Sequence, residues 1–285
     1  VVYKNVAKVG EVNYLSLADA VAAAQAGETV ELVNDATCAG VVINKNITID
    51  FAGKTYTFNK TVGSAGTTTL GLQILKDNNV TLKNGTLTSI ATVEGSKEVK
   101  VLVQNYASLT LQDMNLVDKP EHIQYALSTN CGTSKIEGET NITTDAVAID
   151  LYDSSSADYA LPSLSIATTG KIEGKVEVSE TINDNMAISA GTFTQDVTEW
   201  CASGYVSVNN GDGTYGVKVD PAIGKVAKVG EEYYETVAAA ITAAPAGATI
   251  TLIADVNENV TISKNLTIDG AGKQYTGTMT ADKGL

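Results

Sequence analysis

Two short stretches of this chain gather the side chains that carry acid–base or ligand chemistry. The first, "DKPEHIQY", holds Asp118, Glu121, His122 and Tyr125. The second, "DLYDSSSADY", holds Asp150, Asp153, Asp158 and Tyr159. Carboxylates held a few ångströms apart serve as acid and base in glycoside hydrolysis, and clustered oxygens can hold Ca2+. Tyr125, Tyr152 and Tyr159 offer flat faces to a sugar ring. A second reading of the same residues is bland: solvated acidic loops on an acidic protein, with the tyrosines plugging the edge of a core. The chemical reading requires the two stretches to lie side by side. That follows if they occupy the same place on successive windings of a repeat, about 4.8 Å apart.

Other catalytic devices are excluded more firmly. His122 is the single histidine, so no multi-histidine metal centre forms around it. No serine or cysteine sits in a nucleophile-elbow motif. All 19 basic residues are lysine, and 33 acidic residues set a net charge of −14. Nucleic acid and anionic membrane surfaces both demand a positive face, so neither is an expected partner. No apolar run reaches the length of a membrane-spanning helix. Cys38, Cys131 and Cys201 are odd in number and far apart; they read as small buried thiols. The stretch "YVSVNNGDGTYGVKVD" from Tyr205 reads as two alternating strands around a polar turn. As a calcium loop it lacks the alternating acidic ligands and the terminal glutamate.

The elements that must position these residues are legible from repetition. "VAKVGEVNYLSLADAVAAAQAGETVELVND" from Val6 returns as "VAKVGEEYYETVAAAITAAPAGATITLIAD" from Val226. Each copy predicts a hairpin turning at Gly10 or Gly230, then a helix capped by Ser16 or Thr236. Gly27 or Gly247 is expected just past the helix end, followed by an apolar strand. Such a hairpin and helix make a lid for an otherwise exposed apolar end.

Beyond the lid a shorter motif recurs: "ITIDFAGKTY" at Ile47, "VTLKNGTL" at Val80, "LTLQDMNL" at Leu109, "LSIATTGKI" at Leu164, "MAISAGTF" at Met186 and "LTIDGAGKQY" at Leu266. Each is an alternating strand, a corner of small or Asn/Asp/Gly residues, and another strand. Repeats of twenty to fifty residues without helices between them predict an all-β solenoid. Alternation puts Ile47, Ile49, Val80, Leu82, Leu109, Leu111, Leu164, Ile166, Met186 and Ile188 on the inside. An antiparallel sandwich would need tight turns every eight to twelve residues, and those are scarce between Ile47 and Ser189.

These repeats resemble the right-handed parallel β-helix of the pectin-lyase-like superfamily. The lid and the "NGDGTYGV" hairpin resemble modules found in tandem in large surface or secreted proteins of gut bacteria. The resemblance implies a right-handed parallel β-helix over residues 1–220. An incomplete second module is expected over residues 221–285, packing on the first or on another molecule. It implies an extracellular setting, and as partner an extracellular glycan or a host or cell-surface protein. The polysaccharide-cleaving members use a basic residue, usually arginine, beside calcium, or aspartates within Asn-Thr-Asp, Asp-Asp, Gly-His-Gly and Arg-Ile-Lys motifs. This chain has no arginine and none of those motifs. The expected function is therefore a non-catalytic structural or adhesive module without a required cofactor. The alternative is a carbohydrate-binding or polysaccharide-degrading domain, with its site on Asp118–Tyr125 and Asp150–Tyr159.

Overall fold

The computed structural model describes residues 4–64, 67–90, 98–118, 122–154, 156 and 158–282. Glu121 lies outside them. The chain forms two compact units, Val1–Lys218 and Val219–Leu285, each with its own buried apolar cluster. Apart from two short α-helices and two 3-10 turns, the described structure is all-β.

The first unit is built from three parallel ladders. In the first ladder Val30 faces Ile49, and Ile49 faces Leu82. The series continues through Leu111, Ile136, Ile166 and Ile188. All seven side chains are fully buried. The pairing partners are 33 residues apart at Ile49–Leu82 and 22 apart at Ile166–Ile188, so each step is one winding of chain. A single winding cannot bury its inner face, but in-register stacking covers each apolar side chain with the next.

The second ladder runs through Tyr56, Leu87, Leu116, Ile142, Ile172 and Phe193. The third passes through Val41, Leu72, Val103, Leu127, Ile149 and Val176. The corner between the first and second ladders is turned by left-handed residues. Asn84 and Asp113 adopt φ of 59° and 54°, and Gly138 takes 63° at the same place. Asparagine and aspartate tolerate this region because their side chains bond locally. Here they also bond to the neighbouring winding: Asn84 Nδ2 donates to Asp50 Oδ1, and Asp113 Oδ1 accepts from the Glu139 N–H.

One rung departs from the apolar pattern. Ser134 stands between Leu109 and Leu164 in the first ladder. Its buried hydroxyl accepts from Asn105 Nδ2 and pairs with Thr129 Oγ1, so the polar group is satisfied inside the core.

Both lids form. Strands Ala7–Val9 and Val12–Tyr14 pair antiparallel, and Ala7–Val9 also pairs with the first winding strand, Thr29–Leu32. Helix α1, Leu17–Ala23, begins at Ser16, whose hydroxyl accepts from the Asp19 N–H. Gly27 is not the residue that ends the helix, as its spacing predicts. Ala24 is the cap, and Gly27 turns the following loop at φ 89°, donating its N–H to the Asn46 carbonyl. The orphan carbonyls of Ala22 and Ala24 are taken by the Lys45 ammonium. In the second unit, helix α2, Val237–Ala243, is capped by Thr236, and Lys264 closes its far end in the same way. At the other end of the first unit, Tyr215–Val219 pairs antiparallel with Met186–Phe193. The preceding "NNGDG" is a closed turn in which Asp212 Oδ1 accepts from the Thr214 N–H and hydroxyl.

Candidate functional site

The third ladder separates the two predicted clusters. Gln124, just after His122, pairs with the start of the neighbouring strand: its N–H donates to Lys100 O, and its carbonyl accepts from the Val147 N–H. Asp150 lies three positions further along, opposite Ser128. The Asp118–His122 and Asp150–Tyr159 segments therefore sit at opposite ends of this ladder, not side by side as equivalent excursions would. The reason is the corner between the second and third ladders. The chain enters the third ladder at one end of its strand and makes its second excursion on leaving at the other.

At the exit end, a row of polar side chains occupies one register: Gln73, Gln104, Ser128, Asp150 and Glu177. Gln104 Nε2 donates to Ser128 Oγ, and Ser128 Oγ is 2.7 Å from Asp150 Oδ2. Burial pushes the Asp150 carboxyl above the ordinary range; nearby Glu177 adds to the shift, while the Ser128 hydroxyl opposes it. The Tyr125 phenol is also raised, first by burial and then by Asp150 and Glu177.

The row leads into a cleft of about 700 Å3 lined by Gln73, Lys76, Asp77, Tyr106, Ser154, Ser156 and Tyr159, among others. The rings of Tyr106 and Tyr159 lie 5.9 Å apart and tilted, with the Lys76 ammonium 5.3 Å from the Tyr159 ring. Lys76 Nζ also reaches the Asp158 carbonyl, 3.4 Å away. Asp153 is turned aside: its carboxylate accepts from the Thr181 hydroxyl. Tyr152 is exposed and not part of the cleft.

At the entry end, Asp118 is fully buried and His122 nearly so. His122 Nδ1 lies 3.1 Å from Asp118 Oδ1, while Nε2 lies 2.6 Å from Ser89 Oγ. The Asp118–His122 contact has ion-pair distance without hydrogen-bond alignment, since Asp118 Oδ1 has no aligned donor. The other oxygen, Oδ2, accepts long bonds from the His122 and Ile123 N–H groups.

The sequence singles out Tyr159, Asp150, Asp118 and His122; the structure places Gln73, Lys76 and Tyr106 near the first of these and Ser89 beside the last. A register count offered the available signal: Gln73 and Gln104 are the outward positions of "LGLQI" and "VLVQN". Ser89 is 33 residues from His122 and has no local signature.

No group of three or more histidine, cysteine, aspartate or glutamate side chains among the described residues is arranged to hold a metal ion. No helix among them is long and apolar enough to cross a membrane. No family model, curated protein or solved structure matches the chain.

Proposed function

We propose that this chain is an adhesive module of a bacterial surface or secreted protein. In this reading its first unit is a right-handed parallel β-helix of the pectin-lyase-like kind, and the Tyr106–Tyr159 cleft holds a neutral saccharide. The in-register apolar ladders and the repeated lid support the architecture. The observation that carries the function is the cleft itself. It has the volume of a small-molecule site, two tyrosine faces for a sugar ring, and amide and hydroxyl groups for sugar hydroxyls. The net charge of −14 favours a neutral saccharide over an acidic one.

A glycan array of the intact chain, followed by calorimetry on its best hits, tests the proposal. Tyr159→Ala and Tyr106→Ala are expected to weaken binding at least about tenfold, the order of a lost aromatic contact. Tyr152→Ala, outside the cleft, is expected to leave binding unchanged. An array without hits, or binding indifferent to Tyr159→Ala, refutes it.

One observation favours a second reading. Asp150, whose carboxyl is raised by burial, stands in register with Glu177 on the adjacent winding, and a pair of neighbouring carboxyls is what a glycosidase uses. Reducing-sugar release from the bound glycan, abolished by Asp150→Asn, would establish that reading instead.

A further inference from the structure

We propose that Ser89, His122 and Asp118 form a nucleophilic triad that hydrolyses small neutral carboxylic esters. This site lies at the end of the third ladder away from the tyrosine cleft and does not depend on saccharide binding there. Its parts come from three places: Ser89 ends the strand Asn79–Ser89, Asp118 follows the strand Ser108–Val117, and His122 precedes the strand Tyr125–Thr129.

The geometry fits the roles. Ser89 Oγ is 2.6 Å from His122 Nε2, within reach for proton transfer, and Ser89 is half-buried. On the far side of the ring, Asp118 Oδ1 is 3.1 Å from Nδ1. A carboxylate on that side is placed to orient the ring, with Nε2 towards the serine. Asp118 is fully buried, and that oxygen has no aligned donor. The imidazolium formed as Ser89 attacks would stand beside that buried carboxylate.

Beside His122 opens a cavity of about 360 Å3, lined also by Glu98, Lys100, Ile123, Gln124 and Asp145. Its acidic members repel carboxylated substrates. Lys100, whose Nζ lies 3.4 Å from the His122 carbonyl, is the cation on the same wall.

In the first step Ser89 Oγ bonds to the ester carbonyl carbon while its proton passes to His122 Nε2. The C–O bond to the alcohol then breaks, and Nε2 returns the proton to the departing oxygen. Water attacks the acyl-serine, again giving a proton to Nε2. Collapse releases the carboxylic acid and restores the serine hydroxyl.

The test treats the full chain with a fluorophosphonate, and follows p-nitrophenyl acetate hydrolysis in parallel. An adduct on Ser89, mapped by mass spectrometry, is expected; Ser89→Ala should abolish it. His122→Gln should slow labelling and hydrolysis by about a hundredfold or more, the range of a lost general base. Asp118→Asn should slow both, and His122→Gln decides the matter if that variant does not fold. A folded protein that gives no Ser89 adduct overturns the proposal, as does labelling that proceeds equally fast in His122→Gln.

Discussion

Replacing Leu111 with alanine tests the stacking directly. Leu111 is the fourth of the seven buried rungs, with Leu82 on one side and Ile136 on the other, and all three are fully buried. Truncation removes three carbons and leaves a void. Leucine-to-alanine changes in cores cost about 2–5 kcal/mol, depending on how far the surroundings collapse. Here collapse is restricted, because parallel backbone bonds at Thr110 and Gln112 hold the neighbouring windings at fixed spacing. The loss should therefore fall in the upper part of that range, about 3–5 kcal/mol. Urea unfolding followed by Trp200, the single tryptophan and a member of the first unit's core, reports that unit alone. Leu161, which is 51% exposed, supplies the control: its alanine variant should shift stability by less than about 0.5 kcal/mol. A Leu111→Ala loss below about 1 kcal/mol, with an unchanged denaturant slope, would refute the reasoning that stacked rungs hold the fold. Leu111→Asp places an unpaired charge in the same column and should leave the unit unfolded.

The raised Asp150 carboxyl makes stability depend on pH. A folded-state value above the unfolded one gives a contribution that is fully present below the unfolded value of about 3.9 and is lost as pH rises through the folded value. Asp150→Asn cannot undergo that loss, so urea midpoints should show the variant gaining on the parent as pH rises above about 4; parallel curves would contradict the burial argument. Lys45→Met removes the ammonium that holds the last carbonyls of helix α1. It should cost about 1 kcal/mol in thermal or urea unfolding, with Lys45→Arg recovering part of the loss.

The inner phase of the first ladder was readable from alternation alone. Ile49, Leu82, Leu111, Ile166 and Ile188 are each buried and in register. Strand alternation is a local property, and burial on one face writes it into the sequence. Ile136 is absent from that pattern because the preceding inward position on its own strand is Ser134, where a buried hydrogen-bond set replaces the apolar residue. The site was less legible, since which end of a ladder an excursion leaves from depends on corner geometry. That is why Asp118 and Asp150, equivalent by spacing, are apart in space. Tyr106 and Ser89 lie in ordinary strand-end sequence, and only the fold brings them to Tyr159 and His122.

The first unit carries its lid on the Thr29–Leu32 strand, at the start of the first ladder, and its closing strand on Gly191–Phe193, at the end of the second. Tension applied through the two ends of this unit would thus pull along the stacking direction. Such a load peels bonds a few at a time instead of shearing a whole strand. A freed winding of 19 to 33 residues pays out roughly 65–110 Å of chain. Under such a load the unit would lengthen in discrete increments and rewind when the load is released, with the remaining windings as template.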